Sequence, residues 1–213
     1  MSTVIVIAKE TLPGKVKTRL HPDFSFEDAA TVAAAALADT MLTVQSLPAT
    51  RRILLFDGTT PPPWSEHFDI VPQSDGGLDE RIAAAFDAAT GRTVLIGMDT
   101  PQLHAEHLRA FFSPSTDADA WLGPANDGGW WALGMEQPRG DLIRGVPMST
   151  DITAAAQLVR LRSAGLRVEM LPTLTDIDTV DDALTVARAV PDSRFAMAVS
   201  LCLSAARING TSS

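Results

Sequence analysis

The chain has 213 residues, 46% of them apolar, which is enough for one domain with its own core and too apolar for a disordered chain. Seventeen basic against 26 acidic side chains leave a formal net charge of −9 and a pI near 4.8, so nucleic acid is excluded as a general partner by charge repulsion. The single cysteine, Cys202, rules out an internal disulfide or a cysteine-built zinc site, and with no basic-led apolar leader and no run near the ~20 apolar residues of a membrane helix, a cytoplasmic protein without membrane insertion is expected.

The first element is Val4–Ala8, a β-branched run that predicts a strand buried on both faces. A loop with Pro13 and Gly14 follows, then an alanine-rich helix over about Asp28–Leu47, opened by Ser25 with Asp28 three residues on in the manner of a capping box. Arg52–Phe56 is the next strand, ended by Asp57-Gly58. Pro61, Pro62 and Pro63 can join neither helix nor ladder and mark a surface connection. Asp69–Pro72 is a short strand, and Gly76-Gly77 breaks the chain before a helix over Leu78–Ala89. Thr93–Gly97 predicts another buried strand that runs into Met98-Asp99-Thr100-Pro101. A helix over Ala105–Phe112, strands over Ala118–Leu122 and Trp130–Leu133, and a helix over Ile152–Ala164 capped by Gly165 come next. Leu166–Leu171 is a strand, Val180–Ala189 a helix, and Asp192–Ile208 a final apolar helix that could cover the core or form the contact of a homodimer. Strands alternating with helices predict an α/β architecture with a mostly parallel sheet, whose ligands lie beyond the carboxyl ends of the strands.

Four segments there could carry chemistry. The chain's three lysines, Lys9, Lys15 and Lys17, fall in one loop with Arg19, against the trend of an acidic protein. Such a cluster calls for an anion, and Gly14 and a following helical turn offer backbone donors to phosphates; a solvated basic loop is the alternative. The loop lacks the Gly-x-x-x-x-Gly-Lys-Ser/Thr spacing of a Walker A motif, and no Gly-x-Gly-x-x-Gly is present. Asp99 ends a buried strand, where a carboxylate needs a partner: either Mg²⁺ (or Mn²⁺), or a helix N-terminus after Pro101. Asp176 and Asp178 alternate in an extended run and repel unless a cation intervenes, although Thr179 with Asp182 also reads as a helix cap. Asp127-Gly128-Gly129-Trp130 allows a close backbone approach with an aromatic side chain beside it, or is a plain tight turn. Gly76, Gly77 and Arg81 form either a phosphate- or base-binding loop or a helix start. His104 and His107 have too few companions for zinc, and no Gly-x-Ser-x-Gly elbow supports a hydrolase.

Taken in order, Lys-x-x-x-Pro-Gly-x-Val-Lys-Thr-Arg-Leu, Gly-x-Asp-x-Pro, Gly-Pro-Ala-x-Asp-Gly-Gly and Asp-Ile-Asp-Thr resemble a bacterial family of small transferases. These belong to the nucleotide-diphospho-sugar transferase (GT-A) superfamily and are described as radical-SAM/selenodomain-associated or arsenosugar-type transferases. The pattern is more distantly similar to 2-phospho-L-lactate guanylyltransferase. The resemblance implies a Rossmann-like three-layer α/β/α sandwich over residues 1–190, followed by a C-terminal helix and tail over 191–213. It also implies phosphate binding at Lys9, Pro13, Gly14, Lys17 and Arg19, with Gly76, Gly77 and Arg81 on the nucleotide. Metal would lie on Asp99 with Asp176 or Asp178. Asp127, Gly128, Gly129, Trp130, Ser149 and Thr150 would border the acceptor. Met98, Met148 and Trp130-Trp131 depart from the family pattern and bear on which acceptor is used. The expected activity is Mg²⁺-dependent transfer from an NTP or nucleotide sugar, leaning to nucleotidyl transfer onto a small phosphorylated acceptor. A glycosyltransferase and a non-catalytic nucleotide or sugar-phosphate binding protein are the alternatives.

Overall fold

The computed structural model describes residues 1–210; the last three residues of the expected tail lie outside the described residues. Seven strands form one sheet: β1 (Ser2–Lys9), β2 (Arg51–Asp57), β3 (Asp69–Pro72), β4 (Arg92–Gly97), β5 (Ala120–Pro124), β6 (Trp130–Met135) and β7 (Val168–Met170). Their order is β3-β2-β1-β4-β6-β5-β7, with β6 alone antiparallel to its neighbours. The expected mostly parallel mixed sheet is present. β1 and β4 lie side by side in the middle, paired in register from Ser2–Arg92 to Ile7–Gly97, so Lys9 at the carboxyl end of β1 and Met98–Asp99 just after β4 emerge together.

The helices are α1 (Phe26–Ser46), α2 (Leu78–Ala88), α3 (Arg109–Phe112), α4 (Thr153–Ser163), α5 (Val180–Ala189) and α6 (Arg194–Gly210). Alternation along each strand sends its side chains to two cores. Val4, Val6, Leu54, Val94 and Ile96 meet Leu37, Met41 and Val44 of α1 and Phe111 of α3 on one face. Ile5, Leu55, Leu95 and Leu133 meet Ile82 and Phe86 of α2 and Leu161 of α4 on the other. The outer side of α1 is also buried, because Ala29, Val32 and Ala36 pack on Val186 of α5 and on Phe195 and Val199 of α6. The C-terminal helix therefore covers α1 rather than the sheet. Asp39 of α1 accepts hydrogen bonds from the N–H groups of Arg194 and Phe195 at its start. Met197 and Leu201 remain exposed on its far side. Among the described residues no helix is long and apolar enough to cross a membrane.

Local chemistry sets most of the boundaries. The Ser25 hydroxyl accepts from Asp28 N–H at 3.0 Å, which starts α1 at Phe26, two residues before the apolar periodicity suggests. The expected helix over Ala105–Phe112 is a 3₁₀ segment over Ala105–Leu108 followed by the single turn of α3. His107 Nδ1 there accepts from the backbone of His104, so the histidine pair caps this segment. The Thr179–Asp182 alternative also holds, since a reciprocal capping box opens α5.

At the sheet edge Arg167 clips β7 to β5, its N–H and guanidinium donating to Asp119. These bonds pull the Asp119 carboxyl down to about 2. Because a depressed carboxyl stabilises the fold above its unfolded value of 3.8, that contribution is lost as pH falls through about 2. Asp119→Asn is expected to cost about 1 kcal/mol at neutral pH, since the pair is partly exposed. Urea denaturation should show the deficit at pH 7 and its disappearance at pH 2; an equal deficit at both would mean that the ion pair contributes nothing.

Candidate functional site

The site forms where the carboxyl ends of β1, β4, β5 and β7 converge. After β1 the chain makes a turn at Pro13-Gly14 and reaches Lys17 in a left-handed conformation (φ 46°), immediately before a 3₁₀ turn over Thr18–Leu20. That conformation is uncommon for a lysine, and Ser149 across the cleft shares it (φ 58°). The turn aims Lys17 inward. Its Nζ lies 2.9 Å from Asp99 Oδ2, 3.8 Å from Asp178 Oδ1 and 3.9 Å from Asp176 Oδ1, with only 8% of the side chain exposed. Burial alone would push this ammonium down, but the charges of Asp99, Asp176 and Asp178 and the hydrogen bond to Asp99 hold it above its ordinary value. Arg19, mostly exposed, donates to the other oxygen of Asp178.

The acids reach this point by separate routes. Asp99 follows β4. Asp176 and Asp178 follow β7, whose continuation is tied to β5 by an Ala125–Leu174 bridge and by Asn126 N–H donating to the Leu174 carbonyl. Asn126 Nδ2 also donates to Thr175 Oγ1. These ties bring Asp127 beside the pair, and oxygens of Asp127, Asp176 and Asp178 lie within 4.8 Å of one another, a set that could hold a metal ion. Burial pushes the Asp176 carboxyl up to about 7; Lys17 opposes the shift, and Asp99, Asp178 and Asp127 add to it.

Asp176 and Asp178 stand together, Asp99 is bonded to Lys17, and Asp127, read from the sequence as an acceptor residue, lies within reach of the pair. Asp99, Asp127, Asp176 and Asp178 gather where Lys17 and Arg19 point, so carboxylates outnumber cations in this cluster. Carboxylate oxygens are the donors that Mg²⁺ and Mn²⁺ take. The residues fit such an ion.

The cleft has two lobes. The first, of ≈ 550 Å³, is lined by Lys9, Lys17, Arg19, Ser149, Thr150 and Asp151 along with the acids. The second, of ≈ 260 Å³, runs over the sheet between α2 and α4 and is lined by Ile82, Leu95, Trp130, Trp131, Met148 and Thr153 among others. Leu78, Asp99, Asp127, Ser149 and Asp176 belong to both.

Other expected residues stand outside this lining. Pro13 and Gly14 form the exposed turn, and a Cβ at Gly14 would meet nothing within 4 Å, so the residue serves its left-handed φ of +72°. Gly77 caps α2. Arg81 is engaged within the protein, donating to the Gly76 carbonyl, Asp57 and Gln73. Gly128 has φ +88°, and a Cβ there would lie 2.0 Å from the Asp151 carbonyl oxygen; the close approach it permits is to backbone. Thr100, Asp151 and Thr153 line the cleft without having been singled out. Thr100 sits beside Asp99 in the Gly-x-Asp-x-Pro motif, which is the one signal that could have found it; the other two come from the loop before α4 and from α4 itself.

The sequence pattern of a family described as an uncharacterized protein conserved in bacteria (DUF2064) matches residues 29–150. The chain belongs to this family. No curated protein matches the sequence. A crystal structure from Desulfovibrio desulfuricans G20, provisionally described as a nucleotide-diphospho-sugar transferase, is similar at 25% identity with a TM-score of 0.84, over 97% of this chain and 96% of that one. Rv0371C from Mycobacterium tuberculosis H37Rv, in complex with manganese, is 20% identical over 88% and 97% of the two chains, with a TM-score of 0.55. The inositol-1-phosphate CTP transferase of T. maritima is 13% identical over 89% and 96%, with a TM-score of 0.53. At these identities the last two establish a shared fold alone.

Proposed function

We propose that this protein is a divalent-metal-dependent transferase that takes an NTP or a nucleotide sugar as donor and acts in the cytoplasm. The observation that carries the reading is the division of the cleft. Among the described residues its cations line one lobe, a second lobe lies beyond, and carboxylates stand between them. Donor phosphates fit the first lobe, where Lys9 is exposed at the end of β1 and Lys17, with three N–H donors, can keep Asp99 and still reach an oxygen. Asp176 and Asp178, with Asp127 beside them and Asp99 next to Lys17, would hold the metal, which when bound offsets phosphate charge. Lys17 and Arg19 then shield the negative charge that develops as the leaving group takes its electron pair. Nucleotidyl transfer, expelling pyrophosphate, is supported by the density of cations on the first loop. Glycosyl transfer, expelling a nucleoside diphosphate, is supported by the description of the Desulfovibrio relative.

A thermal-shift panel of NTPs and UDP- or GDP-sugars, with and without Mg²⁺ or Mn²⁺, tests this. A metal-dependent rise in Tm is expected, given by GTP or CTP for nucleotidyl transfer and by nucleotide sugars for glycosyl transfer. Asp178→Asn should abolish the metal dependence. If no nucleotide gives a metal-dependent shift, or if Asp99→Ala leaves nucleotide affinity and turnover unchanged, the catalytic reading is wrong.

A further inference from the structure

The second lobe carries its own selectivity. Its charged lining is Asp99, Asp127 and Asp176, and among the described residues no lysine, arginine or histidine borders it. Lys9, Lys17 and Arg19 line the first lobe alone. A phosphate ester carries close to two negative charges at neutral pH. In the second lobe those charges would meet Asp99, Asp127 and Asp176 with no basic side chain in the described lining, because Lys17, the partner of Asp99 and Asp176, faces these acids from the first lobe.

The remaining wall is of a different kind. Ile82, Leu95, Trp130 and Met148 make it largely apolar. Thr100, 2% exposed, is one of the residues around it, and its Oγ1 is buried without a hydrogen-bond partner among the described residues, beside Asp99 at the acidic end. The ≈ 260 Å³ volume falls below the ~300–1,000 Å³ of sites for drug-sized ligands. A small molecule with one apolar face and one polar, uncharged or cationic end matches all three features.

We infer that the acceptor of this enzyme bears no phosphate: it is a neutral or cationic small molecule that lays an apolar face on Trp130 and Met148 and turns a hydroxyl or amine toward the carboxylates. The inference rests on the transferase reading above and replaces the phosphorylated acceptor expected from the sequence. It assigns the two lobes opposite charge preferences, with every phosphate on the donor side.

Trp130 and Trp131 make the lobe's occupancy visible in intrinsic fluorescence, read in a Trp64→Phe background before any divalent metal is added. Cyclohexanol, cyclohexylamine and cyclohexyl phosphate share one ring and differ in the polar group and its charge, and the Met148→Arg variant separates the effect of charge from that of size. The alcohol and the amine should bind at least about tenfold more tightly than the phosphate. Met148→Arg, which puts a cation into the lobe, should reverse that order; Leu78→Arg, at the exposed start of α2, repeats the reversal where Met148→Arg does not fold. Equal or tighter binding of cyclohexyl phosphate to the Trp64→Phe protein overturns the inference, as does the absence of a fluorescence response to all three probes. The Mg²⁺-nucleotide thermal shift of the same protein reports on the other lobe. If that shift fails while the charge preference holds, the acceptor role falls with the transferase reading, and the lobe's selectivity stands.

Discussion

Replacing Lys17 with methionine is expected to destabilise the fold by about 3 kcal/mol at pH 8 and to reduce transfer by about a hundredfold or more. The Lys17 ammonium is the buried counter-ion of Asp99, Asp176 and Asp178. Removing one partner of such a group leaves uncompensated charge, and the carboxylates' own exposure of 26–31% keeps the loss at the lower end of the usual range. The deficit should depend on pH with a definite sign. Asp176 titrates near 7 in the fold against 3.8 unfolded, so a proton is taken up on folding between these values. Stability associated with this group therefore falls as pH rises from 3.8 through 7. Without Lys17 the carboxyl rises further, and the variant should regain stability as the pH is lowered from 8 to 6. Removal of a positive charge about 4 Å from the acids should also raise Mn²⁺ affinity by about tenfold or more. Denaturation at the two pH values, with and without Mn²⁺, reads all three effects. A variant as stable as the parent at pH 8, with unchanged Mn²⁺ affinity, would show that Lys17 is not the counter-ion of this cluster.

Gly128→Ala is expected to cost about 4 kcal/mol and to abolish metal binding. The new Cβ would lie 2.0 Å from the Asp151 carbonyl oxygen and 2.4 Å from its carbon, and both are backbone atoms that cannot rotate away. The left-handed φ of +88° adds its own strain. The loop must therefore part from the Asp151 segment. Ala154 N–H then loses the Gly128 carbonyl, and Asp127 moves from its triad. Gly14→Ala is the control, because it shares the positive φ but has nothing within 4 Å, and it should cost only about 1 kcal/mol with metal binding retained. Chemical denaturation and Mn²⁺ titration separate the two. Equal losses at both positions would mean that conformational strain, and not the contact with Asp151, governs Gly128.

Much of this arrangement is legible in the chain itself. The β-branched runs of β1 and β4, the capping residues Ser25 and Thr179, and the breaks at Gly76-Gly77 and Gly165 locate nearly every element, because they act over a few residues. The exceptions are local contests. Ala105–Phe112 opens as a 3₁₀ segment capped by the His104–His107 pair and becomes helical only at Arg109, and the expected strand Leu166–Leu171 shortens to Val168–Met170, which alone pairs with β5.

By itself, the sequence determined the fold class, the strand-end segments that meet at the cleft and the excess of cations on the first loop, all of which depend on residue type and short-range spacing. The partners of those segments were decided by tertiary structure alone. Lys17 was expected on phosphates, and it stands among carboxylates contributed by residues about 80 and 160 positions away in the chain, because β1, β4 and the segment after β7 end at one edge. Asp127 joins them only through the pairing of residues 125–126 with Leu174. The absence of any cation from the second lobe's described lining is likewise a property of no segment. It arises because five elements bring apolar and acidic side chains together while the basic loop turns the other way.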